Sequence, residues 1–277
     1  MNTILLHLAT TFAYALLSLI IWRHLQSPSV GNSKWAKVKP WINFLTLVPI
    51  GLHIALTYHY SLGLDGLHLG LGNFTSLIVA TACLIYATHS LWAGANSLPA
   101  LSLPFGAIAS LLPIFDGASV QIPHTELPIF KIHLILSVIA YGLLSVSLIH
   151  TLMMSYLEKS LHQHKLSPLI ENLPPLLKLE TLLFTIVLLG FLTLSAALVS
   201  GIFISLEIQS TILPINHKTI FSIASWLLFA SLLIGRHLLG WRGRVAREIL
   251  IIGFLLLIIA YFGSRLVSEV ILQNPQY

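Results

Sequence analysis

Apolar runs long enough to cross a lipid bilayer recur eight times along this 277-residue chain, at about 2–22, 41–60, 74–93, 99–115, 129–155, 181–205, 217–239 and 249–270. A bilayer core about 30 Å thick takes roughly 20 apolar residues as a helix, in which each backbone polar group finds its partner within the segment. Little else remains, for 56% of the residues are hydrophobic and only 8% charged, where a soluble domain carries about 25% charged. A mean hydropathy of +0.90 leaves too few polar side chains to cover a water-facing surface. These values exclude a soluble globular enzyme, a disordered tail and a nucleic-acid binder. They predict an all-α, polytopic integral membrane protein of eight transmembrane helices, a single transmembrane domain over residues 1–277. The first run is too long and too smoothly continued for a cleaved signal peptide. The fourth holds Pro99, Pro104 and Pro113, so a kinked or partly re-entrant segment is expected there. The polar stretch from Tyr156 to Lys178, with Pro168, Pro174 and Pro175, reads as a connecting loop.

Basic residues give the orientation. Of the 14 lysines and arginines, 11 fall in the odd-numbered loops: Arg23, Lys34, Lys37 and Lys39, then Lys159, Lys165 and Lys178, then Arg236, Arg242, Arg244 and Arg247. The positive-inside bias assigns those loops to the cytoplasm and both termini to the outer, periplasmic side. Trp22, Trp35, Trp41, Trp92 and Trp241 fall at the same interface, where amphipathic rings anchor. Without a cleavable signal, the bias fits a multi-pass protein of the bacterial cytoplasmic (inner) membrane. The one cysteine, Cys83, excludes an internal disulfide, a Cys-x-x-Cys metal site and a covalent haem attachment motif.

Ionisable groups in lipid are costly, so each is a functional candidate. Among 13 histidines, His24, His162 and His164 read as solvated loop residues, and His7, His53 and His59 as hydrogen-bonded helix-packing residues. His133, in the first turns of span five, and His217, opening span seven, enter the same outer layer from neighbouring helices. Lys131 and Lys218 lie beside them, and Arg265 of span eight ends on that side. Neutral imidazoles are common axial ligands of haem iron, and cations neutralise propionates, so a bis-histidine haem site is coherent. The plainer alternative makes His217 and Lys218 a helix start and Lys131 and Arg265 interfacial snorkels. Arg265 and Glu269 form an expected surface ion pair. Ser195, Ser200 and Gly201 in span six, with Gly253 and Gly263 in span eight, allow close helix approach. Asp116 and Glu126, around His124, form a candidate acid pair. No Ser-His-Asp arrangement, phosphate-cradling loop or zincin motif is present, and no enzymatic activity is expected.

The stretch Lys131-Ile132-His133 through Ser137, Ala140 and Tyr141, with His217-Lys218-Thr219-Ile220-Phe221-Ser222 and Trp226, resembles the two histidine regions of the cytochrome c assembly proteins (CcsA, CcmC and HemX-like). Gly240-Trp241-Arg242-Gly243-Arg244 and Ala260-Tyr261-Phe262-Gly263-Ser264-Arg265 look most like the family's inner-membrane YpjD branch. The resemblance implies a CcsA-like core over about 70–270 and a haem-handling role in cytochrome c-type biogenesis or haem delivery. It implies non-covalent haem b ligated by His133 and His217, propionate partners Lys131, Lys218 and Arg265, and a second, inner position at His89. The partners it implies are haem and an apocytochrome c or another cytochrome-maturation membrane protein. Where those relatives carry a tryptophan-rich loop, residues 204–216 of this chain hold no tryptophan, which argues against haem presentation. A scaffold or regulatory protein using the Tyr156–Lys178 loop and the Trp241–Arg247 segment is therefore the alternative. A small-solute transporter with the broken fourth span lining its path is the third reading.

Overall fold

The computed structural model describes residues 2–26, 40–63, 66–67, 70–93, 98–116, 124–163, 173–212 and 214–263. Trp35, His68, His164, Arg265 and Glu269 lie outside the described residues. The helices are α1 (Asn2–Leu25), a short α2 (40–45), α3 (Leu47–Ser61), α4 (Leu71–Ala93), α5 (Pro99–Ala109), α6 (Leu112–Phe115), α7 (Pro128–His162), α8 (Leu176–Gln209), α9 (His217–Leu238) and α10 (Gly243–Ile258), closed by a π turn over Ile259–Gly263. A two-residue antiparallel ladder, Leu62–Gly63 against Gly66–Leu67, follows α3. Among the described residues, seven helical stretches are long and apolar enough to span a membrane, and Pro99–Phe115 is a shorter apolar one. The expected all-α membrane architecture is present.

Two helices overrun their expected bounds. α7 has 35 residues and α8 has 34, each about 50 Å long at 1.5 Å per residue. Residues 156–162, read from sequence as loop, therefore continue α7. That helix ends at His162 with Gln163 as its C-cap, and Pro175, which cannot donate a backbone N–H, is the N-cap of α8.

Prolines also explain the breaks. Pro49 cannot donate to the Leu45 carbonyl, and the chain turns at Thr46 between α2 and α3. Pro104 likewise frees the carbonyl of Ala100, and the indole Nε1 of Trp22 donates to it at 3.0 Å. At the gap between α5 and α6, the Ile114 amide bonds to Leu111 instead of Ser110. The freed Ser110 carbonyl accepts from His7 Nδ1 at 2.7 Å. Two side chains of α1 thus satisfy two of the carbonyls that the broken segment exposes, the condition on which lipid-depth breaks are tolerated.

Helix α4 divides the interior in two. On one side Phe74, Ile78, Ala82 and Tyr86 pack with α7–α10 around Tyr141, Leu144, Phe229, Leu232 and Leu257. On the other Cys83 and Ala87 pack with α1, α3 and α5 around Tyr14, Ile50 and Leu103. Both halves hold buried polar side chains: Ser147, His150, Thr151 and Ser225 lie in the first, and His7, Thr10, Asn43, Thr46, His53, Thr57, Ser76 and Ser102 in the second. The small residues of the last spans do permit close approach: Gly253 lies against Phe229, and its carbonyl accepts from Ser225 Oγ at 2.7 Å.

An ionic clasp closes one end. Glu180 of α8 receives Arg236 of α9 at 2.7 Å and Arg242 of the α9–α10 turn at 2.9 and 3.2 Å. Arg247 of α10 reaches Glu158 of α7 at 2.6 Å. The turn itself places Gly240 and Gly243 at φ +66° and +57°, left-handed values that L side chains resist, and lays Trp241 over Gly235.

Candidate functional site

At the opposite end α7, α8 and α9 enclose a cleft of about 240 Å³ lined by His133, Ala197, Leu198, Gly201, Ile212, Pro214, Lys218, Thr219 and Ser222, among others. Its floor is set by helix packing. The Nδ1–H of His133 donates to the Ala197 carbonyl at 2.9 Å and lies 3.0 Å from Ser200 Oγ, which itself donates to that carbonyl. A carbonyl can only accept, so Nδ1 carries the proton and Nε2 keeps its lone pair. Ser137 Oγ approaches Nε2 only at 3.5 Å. Gly201 leaves room for the ring: a Cβ there would stand 3.4 Å from His133 Cε1.

The other sequence-chosen residues divide. Lys218 lines the cleft with His133. His217, the first residue of α9, has an exposed side chain and is not among the lining residues. The cap of α9 is Asn216, whose Oδ1 accepts from the Thr219 amide at 2.9 Å. Lys131 is exposed on α7. Arg265 is outside the described residues. His89 sits elsewhere, half-buried in a cleft of about 420 Å³ between α4, α7 and α8 with Tyr86, Trp92, Leu143, Leu182 and Thr185. Among the described residues no three His, Cys, Asp or Glu side chains form a metal cluster.

Asp116 is not half of an acid pair. Its carboxylate accepts from the Gly72 and Asn73 amides at 2.7 and 2.6 Å, capping α4, while Glu126 is exposed. Sequence reading missed this cap because Asp116 is 44 residues from Gly72. It also missed His150, fully buried, whose Nε2 donates to the Leu179 carbonyl at 3.1 Å, and Glu180. The signal available for Glu180 was an acid beside a long apolar run.

Residues 41–272 match the family described as Cytochrome C assembly protein. The chain belongs to this family. It is 29% identical over 205 residues to the "Inner membrane protein YpjD" of Escherichia coli (strain K12), covering 73% of this chain and 75% of that one. It is also 29% identical over 215 residues to an "Uncharacterized 28.8 kDa protein in nifR3-like 5'region" of Azospirillum brasilense, covering 74% and 77%. A shorter match, 33% over 86 residues, joins it to "Cytochrome c biogenesis protein CcsA" of Prochlorococcus marinus (strain MIT 9301), covering 31% and 28%. No solved structure matches. With its apolar helices, this cytochrome c assembly family member is a multi-pass protein of the bacterial inner membrane.

Proposed function

We propose that this protein binds haem b non-covalently at the outer face of the membrane and takes part there in cytochrome c-type biogenesis or haem delivery. Membership of the cytochrome c assembly family supports the general role in cytochrome c biogenesis. The observation that carries the finer reading is His133: its proton is held on Nδ1 by Ala197, and it shares a cleft with Lys218. That is the state in which imidazole ligates iron, with the partner of its other nitrogen orienting the ring. His217 would be the second axial ligand, and Lys218, Lys131 and Arg265 the propionate partners. Bound haem would supply redox-active iron, tuned by its axial ligands. At about 240 Å³ the cleft is smaller than the roughly 300–1,000 Å³ of pockets enclosing a drug-sized ligand. It therefore admits one part of a large planar ring. His89, in its own cleft, is a separate position. The positive-inside bias supports placing the His133 face, with both termini, outside; an apocytochrome or another maturation protein is the partner this implies.

The visible spectrum of detergent-purified protein, reduced minus oxidised, tests the assignment. Sharp low-spin bands lost in both His133→Ala and His217→Ala are expected, and full haem content in both variants would overturn it. The exposed His217 and the tryptophan-free 204–216 stretch favour one second reading, a scaffold of the same fold that has lost haem presentation. Protein that stays colourless with added haem would establish it.

A further inference from the structure

The cleft at His89 is a different kind of site from the one at His133. At about 420 Å³ it falls within the roughly 300–1,000 Å³ that encloses a drug-sized ligand. On its α4 wall Ile85, His89 and Trp92 stand at i, i+4 and i+7, one face of the helix. Leu143 of α7 and Leu182 and Ile186 of α8 face them. Trp92 ends the span Leu71–Trp92, at the interface that the basic-residue bias assigns to the cytoplasm. From Trp92 to Ile85 the cleft runs about 10 Å into the apolar layer. Thr88, Thr185 and Leu189 on its rim are exposed, and Trp92 is 93% exposed. The mouth therefore opens sideways between α4 and α8, toward lipid.

The hydroxyls around this cleft are already spent. Thr88 Oγ1 donates to the Leu84 carbonyl at 2.8 Å, Thr185 Oγ1 to that of Thr181 at 2.9 Å, and Tyr86 Oη to that of Val146 at 3.3 Å. Polar contact with a ligand is left to the His89 imidazole and the Trp92 indole N–H, neighbours three residues apart on the helix. No Asp, Glu, Lys or Arg is among the lining residues. A phosphate or carboxylate would be buried there without a counter-charge. The lining also differs from what a bis-histidine haem takes. His89 is its one imidazole, haem propionates would meet no cation, and the neighbouring His150 gives its Nε2–H to the Leu179 carbonyl at 3.1 Å. What matches is a neutral head that accepts a hydrogen bond and is flat enough to lie against an aromatic ring, on an apolar tail.

We propose that the His89 cleft binds an isoprenoid quinone taken from the bilayer. One ring carbonyl accepts from His89, the ring lies against Trp92, and the tail leaves between Thr88 and Leu189. A quinone carries two carbonyl acceptors on an uncharged planar ring, and it reaches a lateral mouth by diffusing within the membrane. A phospholipid matches only the apolar part of the cleft, because its head is charged and has no planar face.

The test is equilibrium binding of decylubiquinone to the full-length protein in nanodiscs of phosphatidylethanolamine and phosphatidylglycerol, corrected for uptake by protein-free discs. Wild-type protein should bind it saturably. His89→Leu removes the imidazole and should raise the half-saturating concentration about tenfold, the loss of one hydrogen bond. His133→Ala should bind as wild type does, which separates this cleft from the haem reading. Organic extraction of the protein as purified from membranes should recover isoprenoid quinone from wild type and far less from His89→Leu. Should His89→Leu fail to elute as folded monodisperse protein, Leu189→Trp, at a 48% exposed position on the rim, fills the mouth and decides in its place. Binding no greater than to empty discs, equal affinity in His89→Leu, or an extract holding phospholipid alone overturns the proposal. Haem lost from His89→Leu with no quinone bound makes the cleft a haem position and overturns it too.

Discussion

Trp22 is held to Ala100 because Pro104 cannot be, and a double-mutant cycle measures that dependence. Trp22→Phe removes the Nε1–H donor, 3.0 Å from the Ala100 carbonyl, while keeping most of the ring. Ala100 is fully buried, so its carbonyl would be left without a donor in an apolar interior. Orphaning a buried acceptor costs about 1–3 kcal/mol in water-soluble proteins, and side-chain hydrogen bonds in membranes average about 0.6 kcal/mol. A loss of about 1 kcal/mol is therefore expected. In a Pro104→Ala background the residue-104 amide can donate to Ala100 within the helix, and the same Trp22→Phe change should cost only its lost packing. Unfolding by titrated sodium dodecyl sulfate, followed by far-ultraviolet circular dichroism, gives the four free energies. A coupling of roughly 0.5–1 kcal/mol is expected; one below about 0.3 kcal/mol, the level at which independent sites add, would refute the assignment of Trp22 to the proline-freed carbonyl.

Asp116→Ala should lower stability by about 1–2 kcal/mol in the same assay, as loss of a helix cap does, with no change in haem content. Glu180→Gln loosens the clasp to Arg236 and Arg242; the thermal midpoint should fall in low salt, and the gap from wild type should narrow in high salt because screening weakens the native pair. Gly201→Leu puts a side chain against the His133 ring and into the 240 Å³ cleft. Bound haem should be lost while the circular dichroism spectrum is unchanged, and retained haem would remove this cleft from the site.

Much was legible in the chain alone, because lipid imposes one rule on every segment. Helix number, the weakness of the fourth span and the family resemblance all rest on patterns local in sequence: apolar length, proline positions, and the residues flanking His133 and His217. Lys218 was also readable as a companion of His133. Pairings across distance were not legible. Nothing near His133 in sequence names Ala197 as the acceptor that sets its tautomer, and His7, His53, His133 and His150 are equivalent as letters. Only the packing of α1, α3, α4 and α5 gives His53 two hydroxyls and pins His7 to a carbonyl, and only the packing of α7 on α8 does the same for His150. Composition determined that the chain must bury its backbone in helices, since a bilayer offers no other partner. Which polar side chains then meet depends on the register and rotation of each helix against its neighbours, and only the tertiary structure decided that.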